Sequence, residues 1–435
     1  MSVRKILFWI HLVCGLAAGV VILIMSVTGV LLTYQRQMTA WADMRTYRAD
    51  PPQPGAARLP VEAMVAKAAA QRTGDAPMTV TLRSDPRAPA SVALGTRTLF
   101  VNPYTGEVLG EGAPGVRAFF RSVTDWHRWL AASAENRVTA RGITGASNLA
   151  FFIIVLSGPF LWWPKRLTWT QVRNIAWFRG GLSAKARDFN WHNVLGIWSV
   201  IPLVVIVGSG VVISYPWASN LVYRAYGEQP PVQAGRGGGE GGRGGRGGEA
   251  VGGGRGGRGE AVAGGREGRR EGGSGREAGA TARAEGPAPS AVEAPAPSVV
   301  EGLDAMIATA ATQRPAWRTI ALRLPAPRGP VALTVDEGDG GQPQKRGTLT
   351  LDATTGAVVR WEGSAELSAG RRARSWLRFA HTGEVYGLVG QTVAGLASLA
   401  GVVLVYTGIT LAFRRWLAWW RRRHAPMSRE SSRAA

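Results

Sequence analysis

Four apolar runs, at residues 6–32, 143–163, 194–214 and 389–413, carry no Asp, Glu, Lys or Arg anywhere along their length. A helix needs roughly 20 apolar residues to cross a bilayer core, and each run reaches that length. Four buried helices of a large soluble protein are the alternative, and the length and clean flanks of the runs argue against it. The chain therefore reads as an α-helical membrane protein with four transmembrane helices. The first run exceeds the roughly 7–15 apolar residues of a signal peptide and leads into Tyr34-Gln-Arg36 without a small-residue cleavage site. It reads as an uncleaved span.

The formal net charge is +22 over 435 residues, a balance that could suggest nucleic acid as partner. Its distribution argues for a lipid bilayer and against nucleic acid. Basic residues crowd the N-terminus (Arg4, Lys5), the connection between the second and third runs (Lys165, Arg166, Arg173, Arg179, Lys185, Arg187) and the tail (Arg414, Arg415, Arg421, Arg422, Arg423). If spans alternate, all three lie on one side, as the positive-inside bias requires of cytoplasmic segments. Both termini are then expected in the cytoplasm of a multi-pass bacterial inner-membrane protein, with the two long connections in the periplasm. The single cysteine, Cys14, lies inside the first run and excludes a disulfide framework.

The two long connections repeat one another. Residues 61–72 and 304–314 are alanine-rich amphipathic helices of nearly the same sequence. Strand-type runs follow the first at 78–83 and 90–94. Residues 98–109 and 348–359 each read as strand, turn, strand, with Thr105-Gly106 and Thr355-Gly356 supplying the positive φ that a hairpin turn needs. Each connection is thus expected to fold as a small α+β module, and the chain to be an internal duplication. Between Pro230 and Pro297 the sequence reduces to Gly, Arg, Glu, Ala and Pro. That composition cannot bury enough apolar surface to fold, and reads as a solvated linker.

The same register governs the spans. His11 is followed by Gly15, Gly29 and Tyr34 at +4, +18 and +23, and His192 by Gly196, Gly210 and Tyr215 at the same offsets. In the returning spans Gly145 to Gly158 repeats as Gly395 to Gly408, and Ser157-Gly158 as Thr407-Gly408. His127 and His381 precede those spans. Topology sorts the four histidines into His11 and His192 near the cytoplasmic face and His127 and His381 near the periplasmic face. His424 lies in the basic tail and carries no such pattern.

Ionisable groups at membrane depth are costly and mark function, and imidazole is a ligand for iron, copper and zinc. A zinc or copper site would call for several further His, Cys or carboxylate ligands, and beyond Cys14 the first and third runs have none. Gly15 and Gly196 instead clear a flat space beside each imidazole, since positions i and i+4 share a helix face. A haem needs that space. Two pairs of histidines then give two haems, each with axial ligands from opposite repeats. Close helix packing also accounts for glycines, though not for their fixed distance from histidine.

These motifs together resemble the PepSY-associated transmembrane-helix family: His-x-x-x-Gly opening a span, a small α+β module with a Thr-Gly hairpin, and a His-bearing segment before a span ending Ser/Thr-Gly and basic residues. The resemblance implies inner-membrane proteins tied to iron uptake, one branch of which comprises haem-containing siderophore reductases of the ferrioxamine type. It implies haem b at His11, His192, His127 and His381, a ferric siderophore as substrate, and electrons arriving from a cytoplasmic or membrane donor. No residue is expected to act as acid or base. Three other readings stand beside it: a non-enzymatic PepSY regulator of a periplasmic protease, a haem or metal transporter, and a quinone-linked oxidoreductase. The expected divisions are 1–34, 192–215 and the spans within 116–166 and 365–415, the modules at 35–115 and 301–364, the linker segment 216–300, and the cytoplasmic segments 167–191 and 416–435.

Overall fold

A computed structural model describes residues 2–71, 78–95, 97–164, 168–231, 302–324 and 330–424. Most of the expected Gly/Arg/Glu linker, the Lys165-Arg166 pair and the last eleven residues lie outside the described residues.

The four apolar runs form long helices: α1 (Val3–Leu32), α5 (Arg137–Trp162), α7 (Ala184–Ser214) and α11 (Gly387–Arg423). Each is long and apolar enough to cross a membrane. Between α1 and α5 come α2 (Gln35–Thr46), α3 (Val61–Ala69), strands β1 (Met78–Arg83), β2 (Ala90–Leu94), β3 (Arg97–Val101) and β4 (Val108–Gly110), and α4 (Pro114–Trp129). The short α6 (Trp169–Ala176) precedes α7. The second half repeats the order with α8 (Pro216–Ala225), α9 (Leu303–Gln313), β5 (Thr319–Leu324), β6 (Val331–Asp336), β7 (Arg346–Leu351), β8 (Val358–Glu362) and α10 (Ala369–His381) ahead of α11.

The long helices pack as a ring in the order α1, α5, α7, α11, so that α1 and α7 stand diagonally across the bundle. Small residues let them approach, as helix pairs without a hydrophobic drive require. A Cβ on Gly401 would come within 3.0 Å of the Ser26 hydroxyl, and one on Gly395 within 2.9 Å of Thr33. Across α5 and α7 the buried Asn148 amide donates to the Val207 carbonyl at 3.0 Å, a polar group satisfied inside an apolar bundle.

The two expected α+β modules share one sheet. The strands form one eight-stranded sheet in the order β4-β3-β2-β1-β5-β6-β7-β8. Each half would leave an open edge, and an unpaired edge is a template for further pairing. Here β1 and β5 satisfy one another in antiparallel register from Met78 opposite Leu324 to Arg83 opposite Thr319. Alternation along the strands sends Met78, Val80, Leu82, Ile320, Leu322 and Leu324 to one face, where Met64 and Val65 of α3 and Leu303 and Met306 of α9 cover them in a single core. The two covering helices also cap each other. The Val61 N–H donates to the Asp304 carboxylate at 3.0 Å, and the Leu303 N–H donates to Glu62 at 2.6 Å, filling donors that a helix start leaves open. Burial and the adjacent Glu62 carboxylate hold Asp304 above its ordinary pKa.

Candidate haem-ligand pairs in the bundle

Two pairs of histidines meet across the duplication. His11 of α1 faces His192 of α7 with ring centroids 6.4 Å apart and planes at 75°. His127 faces His381 at 6.3 Å and 59°. The second pair is carried by α4 and α10, separate amphipathic helices that pack against α1 and α7 respectively. They were legible in sequence only as segments ahead of a span. Their amphipathicity sends Phe120 and Val123 inward on α4 and Ala380 inward on α10, while arginines such as Arg121, Arg371 and Arg372 stay exposed.

Each imidazole is held through Nδ1 by a neighbouring helix. His11 Nδ1 lies 2.9 Å from the Ser157 hydroxyl of α5, and His192 Nδ1 lies 2.9 Å from Thr407 of α11. His127 Nδ1 lies 2.9 Å from Thr28 of α1. His381 Nδ1 lies 3.3 Å from Ser209 of α7 and 2.8 Å from the Ile206 carbonyl. With Nδ1 engaged, Nε2 is the free nitrogen of every ring.

The role of these four hydroxyls was missed in the sequence, yet a signal was present. Each is followed by glycine: Thr28-Gly29, Ser157-Gly158, Ser209-Gly210 and Thr407-Gly408. At two of them the glycine lies beside the ring, a Cβ on Gly408 standing 3.4 Å from His192 Cε1 and one on Gly29 3.8 Å from His127 Cε1.

Little crowds the two glycines one turn from the first pair. A Cβ built on Gly15 meets nothing within 4 Å, and one on Gly196 meets only Leu404 Cδ2 at 3.9 Å. One reading from sequence needs amending. Helix α7 starts ten residues before the apolar run and places Asp188 one turn ahead of His192. That carboxylate is buried and engaged by Arg187 and by Arg414 of α11, each at 3.0 Å, which ties the ends of two spans together. Among the described residues no three His, Cys, Asp or Glu side chains converge as a metal site would require.

Fold and site together define a multi-pass membrane protein built from two repeats, with histidines of the two repeats facing each other at two levels. The family model described as "PepSY-associated TM region" matches residues 8–422, and the chain belongs to that family. No curated protein matches it.

Proposed function

We propose that this protein carries electrons across the bacterial inner membrane through two b-type haems, from a donor at the cytoplasmic, terminus-bearing side to a ferric siderophore at the periplasmic, sheet-bearing side. The observation that carries the reading is the spacing of the two histidine pairs. Two imidazoles bound to one metal through Nε2 at about 2.0–2.1 Å each have ring centroids roughly 6.4 Å apart, the ring half-width of about 1.2 Å being added at either end. Both pairs, at 6.4 Å and 6.3 Å, match. Two protein ligands per site leave a tetrahedral or octahedral ion short of donors, whereas a porphyrin brings four of its own. The small residues Gly15 and Gly196 one turn from the first pair are consistent with a flat ring beside it.

A bis-histidine haem supplies reversible one-electron transfer with no open coordination position for oxygen chemistry. The chain's own part is to hold the pairs at two depths and keep water out. From His11 to Thr28, and from His192 to Ser209, is 17 residues in both repeats, about 25 Å of helix rise. The apolar cluster of Val155, Leu203, Val207 and Ala397 with Phe151 and Phe152 packs the bundle interior. Ferric iron in hard oxygen ligands is bound more tightly than ferrous iron, so one electron loosens the chelate and frees the metal. Orientation follows from the arginines at the terminus-bearing ends of the bundle, including Arg4, Arg187, Arg414 and Arg415.

The test uses purified, haem-replete protein in proteoliposomes with a reductant trapped inside. Ferric siderophore and a ferrous-specific chromogenic chelator are placed outside. Colour that develops with the wild type and is lost on His381→Ala is expected. Equal colour from both would overturn the assignment.

Family membership by itself favours a second reading more directly. It describes a PepSY-associated membrane region and carries no redox assignment, which suits a non-enzymatic regulator of a periplasmic protease. That function requires no cofactor and would survive replacement of all four histidines.

A further inference from the structure

The hydroxyls that touch the four histidines have one proton each, and in each case a carbonyl of the same helix, which can only accept, lies within reach of it. Thr28 Oγ1 donates to the Ile24 carbonyl at 2.6 Å. Ser157 Oγ donates to Ile154 at 3.1 Å, Ser209 Oγ to Ile206 at 2.8 Å and Thr407 Oγ1 to Val403 at 2.7 Å. A hydroxyl whose proton is committed to its own helix has only lone pairs left to offer. Toward Nδ1 it can act solely as acceptor, so Nδ1 must carry the ring proton. At His381 the Ile206 carbonyl, 2.8 Å away and acceptor by nature, gives the same answer independently. All four rings are therefore Nδ1–H tautomers with a bare Nε2 lone pair.

We infer that Thr28, Ser157, Ser209 and Thr407 are positioning residues for the haem ligands, one per membrane span, and that they are not equivalent. Each fixes the tautomer and the orientation of one imidazole, as outer partners of metal-bound histidines do. His381 alone makes a short hydrogen bond to a carbonyl besides its hydroxyl contact. The carbonyls of Ile154, Met25 and Leu404 also act as acceptors toward the other three rings, in poorer geometry than the 2.8 Å Ile206 contact. Three histidines thus lean chiefly on their hydroxyl, and His381 leans on it least. The inference rests on the proposed haem function and adds the tautomer, the residues that set it and the exception among them.

The arrangement gives the Ser or Thr of the Ser/Thr-Gly pair a task in every span. The hydroxyl must reach a ring that arrives from another helix, and in α1 and α11 that ring packs beside the following glycine. A Ser or Thr that bonds its own carbonyl slightly weakens a helix, so its presence at four corresponding positions calls for a compensating role.

The test compares Thr28→Val, Ser157→Ala, Thr407→Val and Ser209→Ala with the wild type. Haem retention against an apo-myoglobin acceptor, low-spin haem signals in electron paramagnetic resonance and midpoint potentials are measured face by face. The first three variants should lose haem ten- to a hundredfold more readily at one face, with a shifted low-spin signal there and an unchanged haem at the other face. Ser209→Ala should stay within a few-fold of wild type, and Thr28→Ser and Thr407→Ser should restore wild-type values. Loss of haem at both faces, or a Ser209→Ala defect equal to the others, would overturn the inference. So would wild-type retention and signals in all four, with the haem reading left standing. A wild-type protein that takes up no haem removes the proposed function, and this inference with it.

Discussion

Replacing Gly15 by leucine separates space that is merely empty from space that holds a ring. A Cβ at this position meets no atom within 4 Å, so a side chain can start there without crowding in the protein alone. A glycine inside a helix costs roughly 0.5–1 kcal/mol relative to alanine. Gly15→Leu should therefore leave the haem-free protein as stable as wild type or slightly more so. If a porphyrin occupies the gap between α1 and α7, the leucine overpacks it. Overpacking costs about 1–3 kcal/mol, which is roughly 5- to 150-fold in affinity for that one haem. Haem per polypeptide is read from pyridine haemochrome spectra, and the stability of the stripped protein from thermal unfolding in detergent. One haem retained, one lost and an unchanged apo-protein is the expected result. Two haems held at wild-type affinity would refute the reasoning, because the cleared space would then have no occupant.

Three further outcomes are expected. His11→Ala or His192→Ala should remove one haem and spare the other, measured by the same spectra, since each pair stands apart in the bundle. Glu62→Ala strips the acceptor from the Leu303 N–H, and loss of such a cap costs about 0.5–2 kcal/mol; faster hydrogen exchange at the start of α9 would report it. The Glu228 carboxylate accepts the Gly370 N–H at 2.8 Å and the Ser368 hydroxyl at 2.7 Å, and these bonds hold its pKa below the ordinary value. The stabilisation of α10 that it gives is present above the ordinary carboxylate pKa and is lost as pH falls through the lowered one. Exchange at Gly370 should accelerate with acidification in that window, and Glu228→Gln should abolish the dependence.

Period and length made much of this fold readable. The four uncharged runs became α1, α5, α7 and α11, and β1 and β2 fall on the runs at 78–83 and 90–94. Gly106 and Gly356 take φ of +70° and +68° at the hairpin turns. The joining of the halves through β1 and β5 could not be read from either repeat alone, because strand pairing at an edge depends on what arrives from elsewhere in the chain. Helices α4 and α10 were hidden because amphipathic segments rich in arginine resemble loops when they border a long apolar run. The histidine register was visible as a repeat, and the structure brings His11 to His192 and His127 to His381. The hydroxyl partners were harder to see, since Ser and Thr in a membrane helix ordinarily bond their own backbone. Only a ring arriving from another helix gives Thr28, Ser157, Ser209 and Thr407 a second task.

The most direct measurement is the absorption spectrum of the purified protein, oxidised and then reduced with dithionite, alongside haem per polypeptide. A sharp b-type α-band on reduction with two haems per chain is the expected result. No α-band in protein produced with an ample haem supply would contradict the central claim and leave the four histidines as structural anchors of a PepSY regulator.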